Sequence, residues 1–550
     1  MDNATIAARL EAFAALLELA GANPYTARAY RRAGELVRGT PLPVADLVRS
    51  GRARELRGIG PGIERRLAEL VETGRIAELE ELERDLDPEL VALGRYLGLG
   101  PRKLLDIGRA LGVRSLPELR EAVAAGRLPE VHGVGPETER RVREALEREP
   151  PRAAPRPMLL PRAQRLCAEL AEVLGGVAAG DPRRWRDACE RLAVVVAAQD
   201  PEPVLARFAE LPQVVAVVER TERTALGVTV EGVPVELFVP APAQAGTALV
   251  RATGSAPYVA ALEPLPEGAT EEEVYRRLGL AVVPPELREA PFRGEPPALL
   301  ELAQIRGDLH AHTTWSDGKA SALEMGLAAR ERGYEYLAIC DHTPAVGAVP
   351  GLDGEALRRQ GEEIAAANEE LAPFRLLRGV ECDILRDGGL DAPDDVLGEL
   401  DWVQLSLHAG QRAPKEELTR RVVEAMRHPA VRCLSHPKGR IVNHRPENAL
   451  DLDAVFATCL ETGVALEVNG LPDRLDLRGE HVREAIEAGV RIVCSTDSHS
   501  TRGLGNMELA VRTARRGFAT APDILNTLPL AELVSSKTQD RRSRRPARQY

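Results

Sequence analysis

Two histidines stand one residue apart in Asp308-Leu309-His310-Ala311-His312, and Trp315-Ser316-Asp317-Gly318 follows directly. On an extended segment, side chains at i and i+2 point to the same face. The two imidazoles therefore form a bidentate clamp suited to a transition metal. Metal-competent or polar residues recur downstream as Asp341-His342, Glu381 with Asp383, His408, His436-Pro437-Lys438, Asn469 and Asp497-Ser498-His499. Of the 10 histidines, only His132 precedes residue 300, and the rest lie between His310 and His499. His428, His444 and His481 fall outside these motifs and read as ordinary side chains.

The elements that must position this set are short apolar runs: Tyr336 to Cys340, Arg375 to Val380, Trp402 to Leu407, Val431 to Ser435, Val464 to Val468 and Arg491 to Thr496. Amphipathic helical stretches separate them, which fits βα units in a parallel barrel. A potential ligand or polar group follows each run, at the strand edge where barrel enzymes carry their active sites.

A chain of 550 residues exceeds one core and implies several domains. Its net charge of −12 excludes a simple polycation, so any nucleic-acid surface must be local. Basic character rests on arginine, because the only lysines are Lys103, Lys319, Lys415, Lys438 and Lys537. The 7 cysteines contain no Cys-x-x-Cys pair and read as buried apolar residues in a reducing cytosol. No signal peptide and no membrane-spanning run is expected.

Near the N-terminus, Ile6, Leu10, Phe13 and Leu17 repeat at helical spacing, and a second helix is expected over Tyr25 to Val37. Three glycine turns follow: Gly58-Ile59-Gly60-Pro61, Gly98-Leu99-Gly100-Pro101 and Gly133-Val134-Gly135-Pro136. A Gly-x-Gly turn between helices is a helix-hairpin-helix. Its glycines let backbone N–H groups approach a DNA phosphate without reading base sequence. Residues Gly58, Gly60, Gly98, Gly100, Gly133 and Gly135 are thus the candidate DNA contacts.

Between these regions, Ala179-Gly180-Asp181-Pro182-Arg183-Arg184 followed by Val194-Val195-Val196 resembles the palm of family X DNA polymerases, the polymerase beta relatives. Thr253-Gly254-Ser255 resembles their thumb motif. With the C-terminal pattern, the resemblance spans nearly the whole chain and points to bacterial family X polymerases fused to a PHP domain. The polymerase site departs from the family. Asp181 stands where the family has Ser, beside Arg183 and Arg184, and Arg191 and Ala193 stand where two metal-binding Asp are expected. Glu236 alone fills the third carboxylate position. A shifted alignment would offer Glu190, Asp187 or Asp200 instead, but no Asp-x-Asp or Glu-x-Asp occurs in this strand region. A guanidinium repels dications, and one carboxylate cannot clamp two Mg²⁺ ions. The expectation is a palm without Mg²⁺ and without nucleotidyl transfer. Arg66 occupies the position of the family's Schiff-base lysine, so lyase activity is not expected either.

The resemblance to PHP domains implies nine ligands: His310, His312, Asp317, His342, Glu381, His408, His436, Asp497 and His499. It further implies two or three Mn²⁺ or Zn²⁺ ions, with Glu381 bridging and Glu381 and Asp497 acting in catalysis. Lys438, Arg440 and Arg474 are candidate phosphate clamps, or else solvated rim residues. The expected fold is multidomain α+β and α/β. Its parts are a helical helix-hairpin-helix domain over 1–85, a fingers-like domain over 86–150, a palm over 151–240 and a thumb over 241–298. A PHP domain, a distorted TIM-like (β/α)7 barrel, covers 299–535, and a basic disordered tail covers 536–550. The expected function is a monomeric, cytoplasmic, nucleoid-associated 3′–5′ exonuclease of DNA repair, acting on gapped or 3′-ended DNA without sequence preference. The alternatives are an active gap-filling polymerase and a phosphatase for small molecules resembling histidinol phosphatase.

Overall fold

The computed structural model describes residues 1–19, 24–40, 43–56, 59–78, 110–113, 116–128, 131, 134, 139, 157–229, 232–347 and 349–539. Of the six hairpin glycines named above, Gly60 lies among them. Gly58, Gly98, Gly100, Gly133 and Gly135 lie outside the described residues, as does the basic stretch from 541 onward. The chain forms two compact units, one of residues 1–158, 166–178 and 190–242, the other of residues 159–165, 179–189 and 243–550.

In the first unit, helices Asn3–Leu19 and Pro24–Gly39 match the expected periodicity. Ile6, Leu10, Phe13 and Leu17 are buried, and the Phe13 ring meets the Tyr30 ring edge-on at 4.8 Å. A further helix, Pro61–Thr73, begins with Gly60 as N-cap and Pro61 at its first position, where a missing N–H costs nothing. It buries Ile63, Leu67 and Leu70 in the same core. The palm strand Leu192–Val195 runs parallel to Pro234–Phe238 and sets Ala193 opposite Glu236. Antiparallel Thr224–Thr229 and Val214–Arg220 extend the sheet.

The second unit contains the barrel. Its strands are β1 Gly307–Ala311, β2 Tyr336–Ile339, β3 Arg375–Asp383, β4 Trp402–Ser406, β5 Val431–Leu434, β6 Ala465–Asn469 and β7 Ile492–Ser495. All neighbouring pairs are parallel, and the sheet order follows the sequence order. Leu309, Tyr336, Ala338, Leu377, Trp402, Cys433, Ala465 and Val493 pack in one buried cluster with at least one residue from every strand. Only the barrel interior can collect such a set. Leu337 and Ile339, the alternate residues of β2, pack instead against Met325, Ala329 and Ile364 of the covering helices. Period-two alternation then continues the inward face from Tyr336 to His342, from Leu377 to Glu381, from Trp402 to His408 and from Val493 to Asp497.

The barrel is fastened at both ends between β1 and β7. At the C-terminal edge, Ala311 bridges Ser498, and His312 N–H donates to the Ser498 carbonyl at 2.8 Å. At the opposite edge, the Asn526 amide donates to the Gly307 and Cys494 carbonyls at 2.8 and 2.7 Å and accepts from Cys494 N–H at 3.1 Å. Asn526→Ala leaves these backbone groups buried without partners. It should destabilise this unit by about 3 kcal/mol in denaturant unfolding.

Glu271, in helix Glu271–Leu278, accepts two bonds from Arg183 at 2.7 and 2.9 Å and one from Arg288 at 2.5 Å. Burial favours its neutral form, but the two guanidiniums win and hold its pKa at about 2. The unfolded chain binds that proton more readily, so this contribution is present above the ordinary carboxylate range and is lost as pH falls toward 2. Stability of Glu271→Gln, measured by unfolding from pH 5 downward, should therefore fall less steeply with acid than that of the wild type.

Candidate metal centre

The strand ends bring all nine expected ligands into one site. His310 lies within β1 and His312 just past it, their Nε2 atoms 3.1 Å apart. His312, Asp317, His342 and His499 form one group of mutually close ligand atoms. His310, His312 and Asp497 form a second, and His342, Glu381 and His408 a third. Glu381 sits between them. Its Oε2 lies 2.9 Å from His342 Nδ1, 3.5 Å from His310 Nε2 and 3.7 Å from His312 Nε2. Its Oε1 lies 2.8 Å from His436 Nε2 and 3.7 Å from His408 Nε2. One carboxylate facing five imidazoles has the placement of a bridging ligand.

The donor set fits divalent ions. Ligands that share one ion at about 2.1 Å must lie ~3–4 Å apart, and His312–Asp497, His499–Asp317, His342–Glu381 and His408–Glu381 lie 3.0, 3.1, 2.9 and 3.7 Å apart. Among the described residues, the buried Nδ1 of His312 has no hydrogen-bond partner, and Asp317 Oδ1 stands 3.9 Å from it. Such an orphaned lone pair among His312, Asp317, His342 and His499 suits a cation. His310, His312, Glu381, His436 and Asp497 are buried, whereas the side chains of His408, Asp317 and His499 are 18, 25 and 31% exposed. The site therefore has a deep end and an open end.

Burial alone would raise the carboxyl pKa values and lower those of the imidazoles. Burial opposes ionisation of Glu381, but His342, His310 and His408 hold it well below the carboxylate range. Asp497 is held low against burial by His310, His312 and Arg474. Against burial, Glu381, Asp317 and Asp497 push His342 up to about 9, while burial pushes His312 down.

The supporting residues were harder to read from sequence. Glu467, inside β6, is fully buried and accepts from His310 Nδ1 at 2.7 Å, from His436 N–H at 2.6 Å and from Ser495 Oγ. It fixes the His310 ring so that Nε2 faces the cluster. Asp341 accepts from Thr313 N–H, Thr313 Oγ1, Ser316 Oγ and Gln360 Nε2 and so anchors the loop that carries Asp317. Asp383 holds His408 Nδ1 at 3.1 Å. The readable signal for Glu467 was a carboxylate inside an apolar run, a position that such a residue occupies only when paired. In the Asp317 loop, a Cβ on Gly318 would lie 2.6 Å from the His312 carbonyl carbon, so only glycine permits the turn. His436 and Asp497 have φ of 26° and 52°, a costly backbone for residues with side chains.

The three expected phosphate clamps separate. Lys438 Nζ donates to the Leu450 carbonyl at 3.2 Å. Arg440 places Nε on the Arg474 carbonyl, Nη2 on the Leu475 carbonyl and Nη1 on Asp187 Oδ2. Of the three, Arg474 faces the cluster: its Nε lies 4.0 Å from Asp497 Oδ2, and its buried Nη1 has no partner among the described residues. In the palm, Arg191 closes on Glu236 with Nη2 and Nε 2.6 and 2.7 Å from Oε2. Asp181 and Arg184 pair with each other at 2.5 Å in the second unit.

Comparison with known proteins places these features in context. The helix-hairpin-helix domain family matches residues 1–76. The Bacillus subtilis (strain 168) protein named DNA polymerase/3′-5′ exonuclease PolX is 32% identical over 561 aligned positions, covering 95% of this chain and 97% of that relative. A probable phosphatase of Acetivibrio thermocellus is 33% identical over 230 positions, covering 40% of this chain and 90% of the phosphatase. A probable phosphatase of Shewanella oneidensis is 28% identical over 240 positions, with shares of 41% and 89%.

Removing a carboxylate behind a ligating imidazole weakens metal binding by about 10–100-fold. Glu467→Gln should show a loss of that size in Mn²⁺ or Zn²⁺ affinity, measured by competition with a chromophoric chelator.

Proposed function

Because the chain belongs to the PolX family, we propose that it is a DNA-binding, metal-dependent 3′–5′ exonuclease whose barrel centre hydrolyses phosphodiesters. The observation that carries this reading is three ligand groups joined through shared His312 and His342, with Asp497 and Glu381 in the second and third. Two or three divalent ions, Mn²⁺ or Zn²⁺, would be held by His310, His312, Asp317, His342, Glu381, His408, His436, Asp497 and His499. When bound, they supply an activated water and stabilise charge on the leaving oxygen. The protein's own groups do the rest. Glu381 and Asp497 keep the deep end anionic, and Glu467 and Asp383 hold the His310 and His408 tautomers. Arg474 is the side chain placed to grip a non-bridging phosphate oxygen. The open end at His408, Asp317 and His499 admits a strand terminus.

DNA attachment falls to the helix-hairpin-helix domain. Among the described residues, a Cβ on Gly60 or Gly62 would meet nothing within 4 Å, so local packing there does not require glycine. Close approach of a phosphate would require it. Contacts of this kind are independent of base sequence. The protein is read as a monomer acting in the cytoplasm at the nucleoid. Among the described residues, no helix is long and apolar enough to cross a membrane.

The palm is read as inactive in nucleotidyl transfer. Arg191 neutralises Glu236, and Ala193 offers no ligand beside it, so no pair of carboxylates faces a dication there. The relatives named as probable phosphatases support a second reading, release of phosphate from small phosphomonoesters by the same site.

The test uses 3′-labelled and 5′-labelled DNA with Mn²⁺. Wild type should shorten strands from the 3′ end, and His310→Ala should abolish this. Equal activity in both proteins would refute the site, and phosphate release from small esters without DNA shortening would favour the second reading. In primer extension, wild type should incorporate no dNTP with Mg²⁺ or Mn²⁺. Incorporation that survives Glu236→Ala would show that other carboxylates serve the palm.

A further inference from the structure

The palm segment 179–189 belongs to the barrel unit, and its side chains are committed there. Arg183 grips Glu271 and also donates to Thr253 Oγ1 at 2.7 Å. Arg184 is buried, with Nε on Glu289 at 3.0 Å, Nη1 on the Thr253 carbonyl at 2.5 Å and Nη2 on Asp181. Arg512 lies 4.9 Å from the Trp185 ring centroid. These contacts fix the loop that presents Asp187.

Asp187 in turn reaches the metal centre's phosphate side. Its Oδ2 lies 2.5 Å from Arg440 Nη1, and its Oδ1 lies 3.3 Å from Arg516 Nη1. The Arg440 guanidinium grips the Arg474 and Leu475 carbonyls. Asp476 accepts from the backbone N–H groups of Lys438 and Arg440 at 3.2 and 3.3 Å. The chain of contacts therefore runs from Asp187 through Arg440 to the backbone that carries Arg474. It also braces the loop following His436. Arg440 and Asp187 are both nearly buried, so their pairing is little screened by solvent.

We infer that the palm-motif segment 181–187 serves as a strut of the phosphoesterase site, with Asp187 a positioning residue that aims Arg474 at the substrate phosphate through Arg440. The inference rests on the proposed hydrolytic role of the barrel centre. It assigns the palm motif a task that needs no nucleotide chemistry. Asp187 touches neither the ligands nor the substrate, so its removal leaves the metal complement intact and misaims one guanidinium.

The experiment is a double-mutant cycle on the full chain, with 3′-labelled DNA as substrate and bound divalent ions counted by elemental analysis. Asp187→Asn should keep the metal content and lower kcat/KM by about tenfold. Arg474→Ala should lower it further, and the double variant should equal Arg474→Ala alone, because a misaimed guanidinium has nothing more to lose. Asp187→Glu should recover part of the activity. If Asp187→Asn shows an early thermal transition, Arg440→Lys cuts the same link from its other end and should give the same non-additivity. Wild-type kinetics in Asp187→Asn, or additive losses in the double variant, would overturn the strut. His310→Ala separates the two levels. Full activity in that variant would overturn the site assignment itself, whereas its inactivity beside an unaffected Asp187→Asn would overturn only the strut.

Discussion

The barrel domain depends on one arrangement, a fully desolvated carboxylate ringed by imidazoles. Glu381 is 1% exposed, and an isolated ion there would carry a large solvation cost. It is tolerable because five histidines converge on its two oxygens from four strand ends. No local segment could supply that ring. The parallel barrel exists to bring remote chain positions to one edge, and the buried supports Glu467, Asp341 and Asp383 exist to stop the ring from relaxing.

Much of this arrangement was legible in the sequence. Ligand-bearing residues follow apolar runs, and alternation along a strand tells which of them face inward. The run Trp402 to Leu407 with His408 behind it is the clearest case, since Trp402 fills the interior and His408 stands on the same face. The match over 95% of the chain agrees with the family that these motifs suggested. What the sequence hid was the second tier. Glu467 shows in the sequence only as a carboxylate inside an apolar run, and its partners appear once the barrel closes around it. Arg440 and Lys438 look like phosphate ligands because they are cationic and near His436. Their side chains satisfy backbone carbonyls instead, and hydrogen-bond partners that distant in sequence leave no local signature. The hairpin turns at Gly98 and Gly133 fall outside the described residues, so the N-terminal reading stands on Gly60 and on the matched family.

The palm illustrates how a fold and the chemistry proposed for it rest on different residues. Its parallel pair Leu192–Val195 and Pro234–Phe238 sets positions 193 and 236 side by side. The sequence puts Ala193 opposite Glu236, and Arg191 supplies the counter-charge. Arg191 and Glu236 are part-exposed, whereas Leu192, Ala193, Val194, Val235 and Leu237 are buried and form the hydrophobic interior of the sheet. Fold and catalysis rest on different residues, and so they can part company.

The bridge between Ala311 and Ser498 also governs how the molecule is made. His312 meets Asp497 across 185 residues of chain. At ribosomal speeds of ~5–20 residues per second, the first imidazole pair emerges roughly ten to forty seconds before its last partner. During that interval the nascent protein displays an unfinished chelate while the N-terminal helices are already free to fold. Hydrolytic competence is thus acquired later in synthesis than the region suited to gripping nucleic acid.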